Sequence, residues 1–190
     1  QIISTGLVNG QSRTVIAVVL KMKPPGVRAA ISSAGDIRVE GGITTDGRDH
    51  DGSGSLTGDP GTYGVSSGGT VTQTGSSSIG GNGFAPADPA NPAAIEQNAT
   101  ENVFTTPEEV LGVPPGALDQ YKTATPPQTP INGVVYLTAN SWIGADFGEE
   151  DNPSTGILIM HNASGAAVLK NTHGHFKGLI ITDDLVNING

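Results

Sequence analysis

The sequence predicts a mostly β protein, a right-handed parallel β-helix (solenoid) with an N-terminal β-hairpin and a short helical insert. Three observations carry that expectation. First, three apolar runs, each opened by a glycine, recur late in the chain at 133–137 (GVVYL), 156–160 (GILIM) and 178–182 (GLIIT), so that Gly133, Gly156 and Gly178 are almost evenly spaced. Each is too short for a helix and mostly β-branched or aliphatic, as a buried strand bounded by turns should be. Second, another apolar series at 142–145 (WIGA), 166–169 (AAVL) and 185–188 (LVNI) lies between these runs, with Ile143, Ala167 and Val186 marking a less regular row. Third, the segment 31–41 (ISSAGDIRVEG) matches the segment 65–75 (VSSGGTVTQTG) at an offset of 34. Short strands repeating at a fixed period in the twenties indicate stacked coils, because one coil cannot bury its own apolar face and a stack can.

The elements follow in order. Residues 1–26 read as a hairpin, with strands at 1–5 and 13–21 around an Asn9-Gly10 turn, ended by Pro24, Pro25 and Gly26. Residues 27–190 read as the solenoid, interrupted by two insertions. The first, at about 48–60, is rich in Gly and Asp and accounts for the excess of the longer N-terminal repeat over the shorter C-terminal period. The second, 84–130, opens with Pro/Ala composition and then carries Thr106, Pro107, Glu108 and Glu109, the order of an N-cap, a first helical proline and acidic first-turn residues. One or two short helices packed on the flank are expected there, with residues 117–122 as a second turn.

Composition narrows the function classes. The 190 residues include 28 glycines and 13 prolines, with only 14% charged residues, which favours turns over helices. A net charge of −9, with nine scattered Lys and Arg, argues against nucleic acid as a partner. There is no cysteine, so disulfides and thiolate metal sites are excluded. No apolar stretch in the sequence is long enough to form a membrane-spanning helix. Gln1 in place of Met, leading straight into an alternating segment, points to a preceding signal or anchor.

Residues 3–6 (ISTG) and 13–19 (RTVIAVV), then 30–35 (AISSAG) with 46–51 (DGRDHD), and finally 156–160 (GILIM) with 176–181 (FKGLII), together resemble PilX-like pilus-assembly proteins of bacteria. The resemblance covers most of the chain except 84–130. It implies a type IV pilin relative whose soluble portion is a Gly-rich β domain, often a β-helix. It implies an extracellular or cell-surface location, with an anchoring N-terminal helix lying outside this sequence. Pilus components, other cell-surface components or surface polysaccharide are the partners it implies.

The sharpest polar cluster is residues 46–54 (DGRDHDGSG). Asp46, Asp49, Asp51 and Ser53 are candidate ligands for calcium, a hard cation that takes six or more oxygens, although the spacing departs from an EF-hand and position 57 is Thr. The alternative is a turn whose aspartates cap backbone N–H groups. Asp183 and Asp184 near His173 and His175 suggest a polysaccharide-acting β-helix enzyme, a lyase or glycoside hydrolase of the polygalacturonase-like kind. Against it, the aspartates follow the His-Gly-His motif instead of preceding it, and a polyanionic substrate would meet an acidic protein. His161 with His173 and His175 is a candidate zinc set, yet aligning Gly156 with Gly178 puts His161 opposite Asp183. Trp142 and Phe176 form either a sugar platform or a closure of the core. The expected function is therefore a non-enzymatic structural or adhesive module that requires no cofactor, with a bactofilin-like self-assembling solenoid as a further alternative.

Overall fold

The computed structural model describes residues 2–8, 11–17, 27–51, 53–101 and 104–188. In chain order these form β1 (Ile2–Val8), β2 (Gln11–Ala17), β3 (Ala29–Ser33), β4 (Ile37–Val39), β5 (Thr44–Asp46), β6 (Tyr63–Ser67), β7 (Val71–Gln73), β8 (Ser78–Gly81) and β9 (Phe84–Ala87). There follow β10 (Ile95–Glu96), α1 (Pro107–Leu111), β11 (Lys122–Thr123), β12 (Asn132–Leu137), β13 (Ser141–Ile143), β14 (Gly148–Glu149), β15 (Asn152–Met160), β16 (Val168–Thr172), β17 (Phe176–Thr182) and β18 (Asp184–Ile188). The protein is mostly β, with a single short α-helix among the described residues.

β1 and β2 pair antiparallel from Ile2 opposite Ala17 to Val8 opposite Gln11. The first strand is thus longer than the expected 1–5, and the second begins earlier than 13. The Asn9-Gly10 turn, the continuation of the second strand past residue 17 and the Pro24-Pro25-Gly26 break lie outside the described residues.

Nearly all the remaining pairing is parallel and joins one repeat to the next. β3 lies against β6, β4 against β7 and β5 against β8, with Ile31 opposite Val65, Ile37 opposite Val71 and Thr45 opposite Ile79. All three strand pairs keep the same offset of 34 that separates Thr44 from Ser78. One repeat distance shared by three consecutive strands means that the additional length sits between β5 and β6, where residues 47–62 form the loop. Further along, β12 pairs with β15 and β15 with β17, placing Gly133, Gly156 and Gly178 in one row. β13, β16 and β18 form a second parallel sheet in which Trp142, Leu169 and Leu185 share a row. Ile143 and Val186 share a row as the sequence predicts, but through Lys170 instead of Ala167, because the turns before and after β16 differ in length.

The second insertion is not wholly external. Ile95 of β10 stacks beside Val65 of β6, and Lys122 and Thr123 of β11 pair with Tyr136 and Leu137 of β12. Its ends therefore extend the ladders, while α1 and a 3₁₀ turn at Asp119–Tyr121 lie between them. α1 has the expected Thr106 N-cap and first-turn proline, and they are part of a capping box: the Thr106 hydroxyl accepts the Glu109 N–H while Glu109 accepts from the Thr106 N–H, and Gly112 ends the helix with a left-handed φ of 67°.

Alternation along β15 explains why its run is continuously apolar. Leu158 and Met160 face a core shared with Leu137, Phe147, Ala167 and Leu169. Ile159 faces the other way, into a layer with Tyr136 that Leu118 closes and Leu111 and Val113 flank. Covered on both faces, the central strand needs apolar residues at consecutive positions. Each fully buried side chain of this size contributes about 1.5–3 kcal/mol. A smaller core of Val39, Val65 and Ile79 fills the N-terminal repeats.

The glycine row fixes how closely these strands approach. A Cβ on Gly156 would overlap the carbonyl of Gly133, and one on Gly178 would overlap the carbonyl of Gly156. At Gly133 a Cβ would meet open space, though its φ of 104° still favours glycine. Gly156→Ala should therefore cost both backbone strain and overpacking, about 3 kcal/mol or more. Gly133→Ala should cost only the strain, about 1–2 kcal/mol. Urea denaturation of the two variants checks this, and equal losses would contradict the stacking explanation.

Candidate functional site

The 46–57 loop folds on itself. Asp46, at the end of β5, accepts from Arg48 through Nε at 3.0 and 3.1 Å and through Nη2 at 2.7 Å, as well as from the Arg48 backbone N–H. Asp51 Oδ1 accepts from the Ser53 N–H at 2.8 Å, the Ser53 hydroxyl at 2.6 Å and the Ser55 N–H at 3.0 Å. Asp49 Oδ2 accepts from the Thr57 hydroxyl at 2.7 Å. The candidate calcium ligands Asp46, Asp49, Asp51 and Ser53 are thus engaged in separate turns, and the Arg48 guanidinium lies against Asp46 where a cation would have to come. Among the described residues, no group of three or more His, Cys, Asp or Glu side chains is placed to hold a metal ion. The signal for this arrangement was in the sequence, since Asp-Gly-Arg sets a carboxylate and a guanidinium on either side of one glycine.

The histidines separate into two places. The shared register of β15 and β17 brings His161 beside Asp183, with Nδ1 and Oδ1 at 2.6 Å and side chains 19% and 13% exposed. The other Asp183 oxygen accepts from the backbone N–H groups of Asn162 at 3.3 Å and Ala167 at 3.0 Å. Asn162 in turn donates to Asn140 Oδ1 at 3.1 Å. Asn140, Asn162 and Asp183 therefore form a polar row across three successive turns. Among the described residues, no hydroxyl is hydrogen-bonded to His161. His173 and His175 are exposed on the next stretch, where His173 lies 3.7 Å from Asp146. They do not join His161.

Trp142 and Phe176 both pack edge-on against Phe147, with ring centroids 6.0 and 5.2 Å away. Phe147 is buried, so this trio closes the C-terminal core instead of forming an open platform.

Sequence reasoning missed two features. Arg28 reaches across the β3–β6–β10 sheet to Glu96, with Nη2 2.7 Å from Oε1, and also pairs with Glu101; Glu96 accepts from the Ser66 hydroxyl at 2.6 Å as well. Partners so distant along the chain give no local signal. The second is a groove of about 290 Å³ within the insert, lined by Glu108, Val113, Pro115, Asp119 and Lys122 among others. Lys122 Nζ lies 2.6 Å from Asp119 and 5.1 Å above the centre of the Tyr136 ring. Burial pushes the Tyr136 hydroxyl above its ordinary pKa, while the Asp119 carboxylate does the same for the Lys122 ammonium.

Compared with protein-family models, curated proteins and solved structures, the chain matches none. Among the described residues, no helix is long and apolar enough to cross a membrane.

Hydrogen bonding by Arg48 holds the Asp46 carboxyl below its usual range, and Arg28 does the same for Glu96. A carboxylate depressed in the folded state contributes stability that is complete above its unfolded pKa and is lost as pH falls through the folded value. Each pair is partly exposed, so solvent screening keeps the contribution of each small. Thermal midpoints should accordingly fall as pH drops from about 5 to about 2, and Arg28→Met should lower the neutral-pH midpoint and flatten that fall. An unchanged acid profile in Arg28→Met would show that the Arg28–Glu96 pair contributes nothing.

Proposed function

We propose that this chain is a right-handed parallel β-helix serving as a non-enzymatic structural and adhesive module at a bacterial cell surface, in association with pili. The observation that carries the reading is the register: parallel partners keep one offset from β3 through β5, and β12, β15 and β17 follow one another at shorter, nearly equal offsets with their glycines in one row. Stacking of that kind makes a stiff scaffold whose insertions are free to contact partners.

The polar groups support the same reading. Asp36 accepts from the Thr70 N–H and hydroxyl one repeat away, Ser67 donates to Gly35, and Ser154 accepts from the Ile131 N–H. Such bonds hold one repeat on the next. Pilus or cell-surface components and surface polysaccharide are the proposed partners.

Antibody labelling of intact producing cells, together with immunoblots of sheared pilus fractions, tests this reading. The protein should be accessible on unpermeabilised cells and should enrich with pili, and deleting it should reduce adherence or piliation. Confinement to the interior of the cell, or turnover of purified acidic or neutral polysaccharides that is lost on Asp183→Asn, would overturn it.

A further inference from the structure

We propose that the open edge of β17 is a docking site for a second copy of this chain, whose β1 stacks on it as a further parallel strand. Among the described residues β17 is paired along one edge only, with β15, and β18 likewise pairs only with β16. Leu158, Ile159 and Met160 of β15 are fully buried, whereas their row partners Ile180, Ile181 and Thr182 in β17 are half-buried. Leu185 of β18 is 37% exposed. β17 presents seven residues with a single charge, Lys177, and no proline to blunt the edge. An edge of this kind is a template for another strand.

The glycine row sets what that strand must carry. Gly156 lies against the Gly133 carbonyl and Gly178 against that of Gly156, each without room for a Cβ. A strand continuing the stack therefore needs glycine opposite Gly178 and aliphatic residues after it. β1 has that order: Ser4-Thr5-Gly6-Leu7-Val8 repeats Ser154-Thr155-Gly156-Ile157-Leu158 of β15, the strand that already pairs with β17. In the register of β15, Thr5 faces Lys177, Gly6 faces Gly178 and Leu7 faces Leu179. Among the described residues β1 has β2 as its one strand partner, in a two-stranded sheet, and two strands alone are marginally stable in water. Contact between β1 of one copy and β17 of another is heterologous, so every copy both donates and accepts a strand and the assembly grows head to tail. Such pairing is independent of where the protein resides.

Sedimentation velocity over a range of protein concentrations should show oligomers that grow with concentration. Gly6→Val, which sets a side chain against the Gly178 carbonyl, should weaken association about tenfold or more, with circular dichroism checking that the variant keeps its fold. Mixing single-cysteine variants reads the register, since the chain has no cysteine of its own. Thr5→Cys mixed with Lys177→Cys should give a disulfide-linked dimer, whereas Thr5→Cys mixed with Leu179→Cys, offset by two positions, should not. The proposal is overturned if the unmodified chain stays monomeric at every concentration, or if a folded Gly6→Val variant associates as before. It is equally overturned if Lys177→Cys links to itself in preference to the mixture, the mark of two β17 edges pairing antiparallel, or if a chain carrying both Thr5→Cys and Lys177→Cys closes only on itself.

Discussion

Everything in the C-terminal half depends on backbone touching backbone at one row of glycines. Gly156 lies directly against the Gly133 carbonyl, and Gly178 against that of Gly156, with no room for a Cβ at either contact. Close approach at this row lets the apolar residues that follow align strand over strand, with Val135, Leu158 and Ile180 on one face and Tyr136, Ile159 and Ile181 on the other. Hydrophobic burial provides the driving force, but it is not directional. The glycines turn that attraction into a register, because a one-residue slip would bring a Cβ against a carbonyl and exchange the two faces.

The same register carries through to the polar residues at the turns. Once Met160 is set against Thr182, His161 has to lie beside Asp183, and Asn162 lies within reach of Asn140. In the N-terminal repeats the constant offset does similar work, placing Asp36 beside Thr70 and Thr44 beside Ser78. Side chains that would suggest catalysis in isolation are therefore held in place by the repeat. Function is better sought where the repeat is interrupted, above all in the 84–130 segment, whose helix covers the Tyr136–Ile159 layer and forms one wall of the groove.

What could be read from the sequence follows from what is periodic in it. Glycine spacing and the Ser-Ser match gave the pairing of β12, β15 and β17 and of β3 and β6 to the residue, because those rows depend on residue type. The α1 cap was equally legible, since Thr106, Pro107 and Glu109 each have a distinct role in it. In the second sheet Lys170 stands where composition places Ala167, because unequal turns shift a strand without altering its residues. β10 and β11 escaped notice because two residues are too few to show any period. The Arg28–Glu96 pair requires distant segments to meet, which only the folded chain reveals. At Asp46 the calcium expectation emphasised the carboxylates, whereas the neighbouring arginine decides how that one is used.

Engineered disulfides test the register most directly, helped by a chain that has no cysteine of its own. Thr155 and Lys177 are direct partners, and neighbouring strands lie about 4.8 Å apart, within disulfide reach. Thr155 and Leu179 are offset by two positions, which takes their Cα atoms to about 8 Å and out of reach. Thr155→Cys with Lys177→Cys should oxidise rapidly and almost completely in the native protein, while Thr155→Cys with Leu179→Cys should stay reduced. Preferential closure of the offset pair, or failure of both, would contradict the stacking of Gly178 on Gly156.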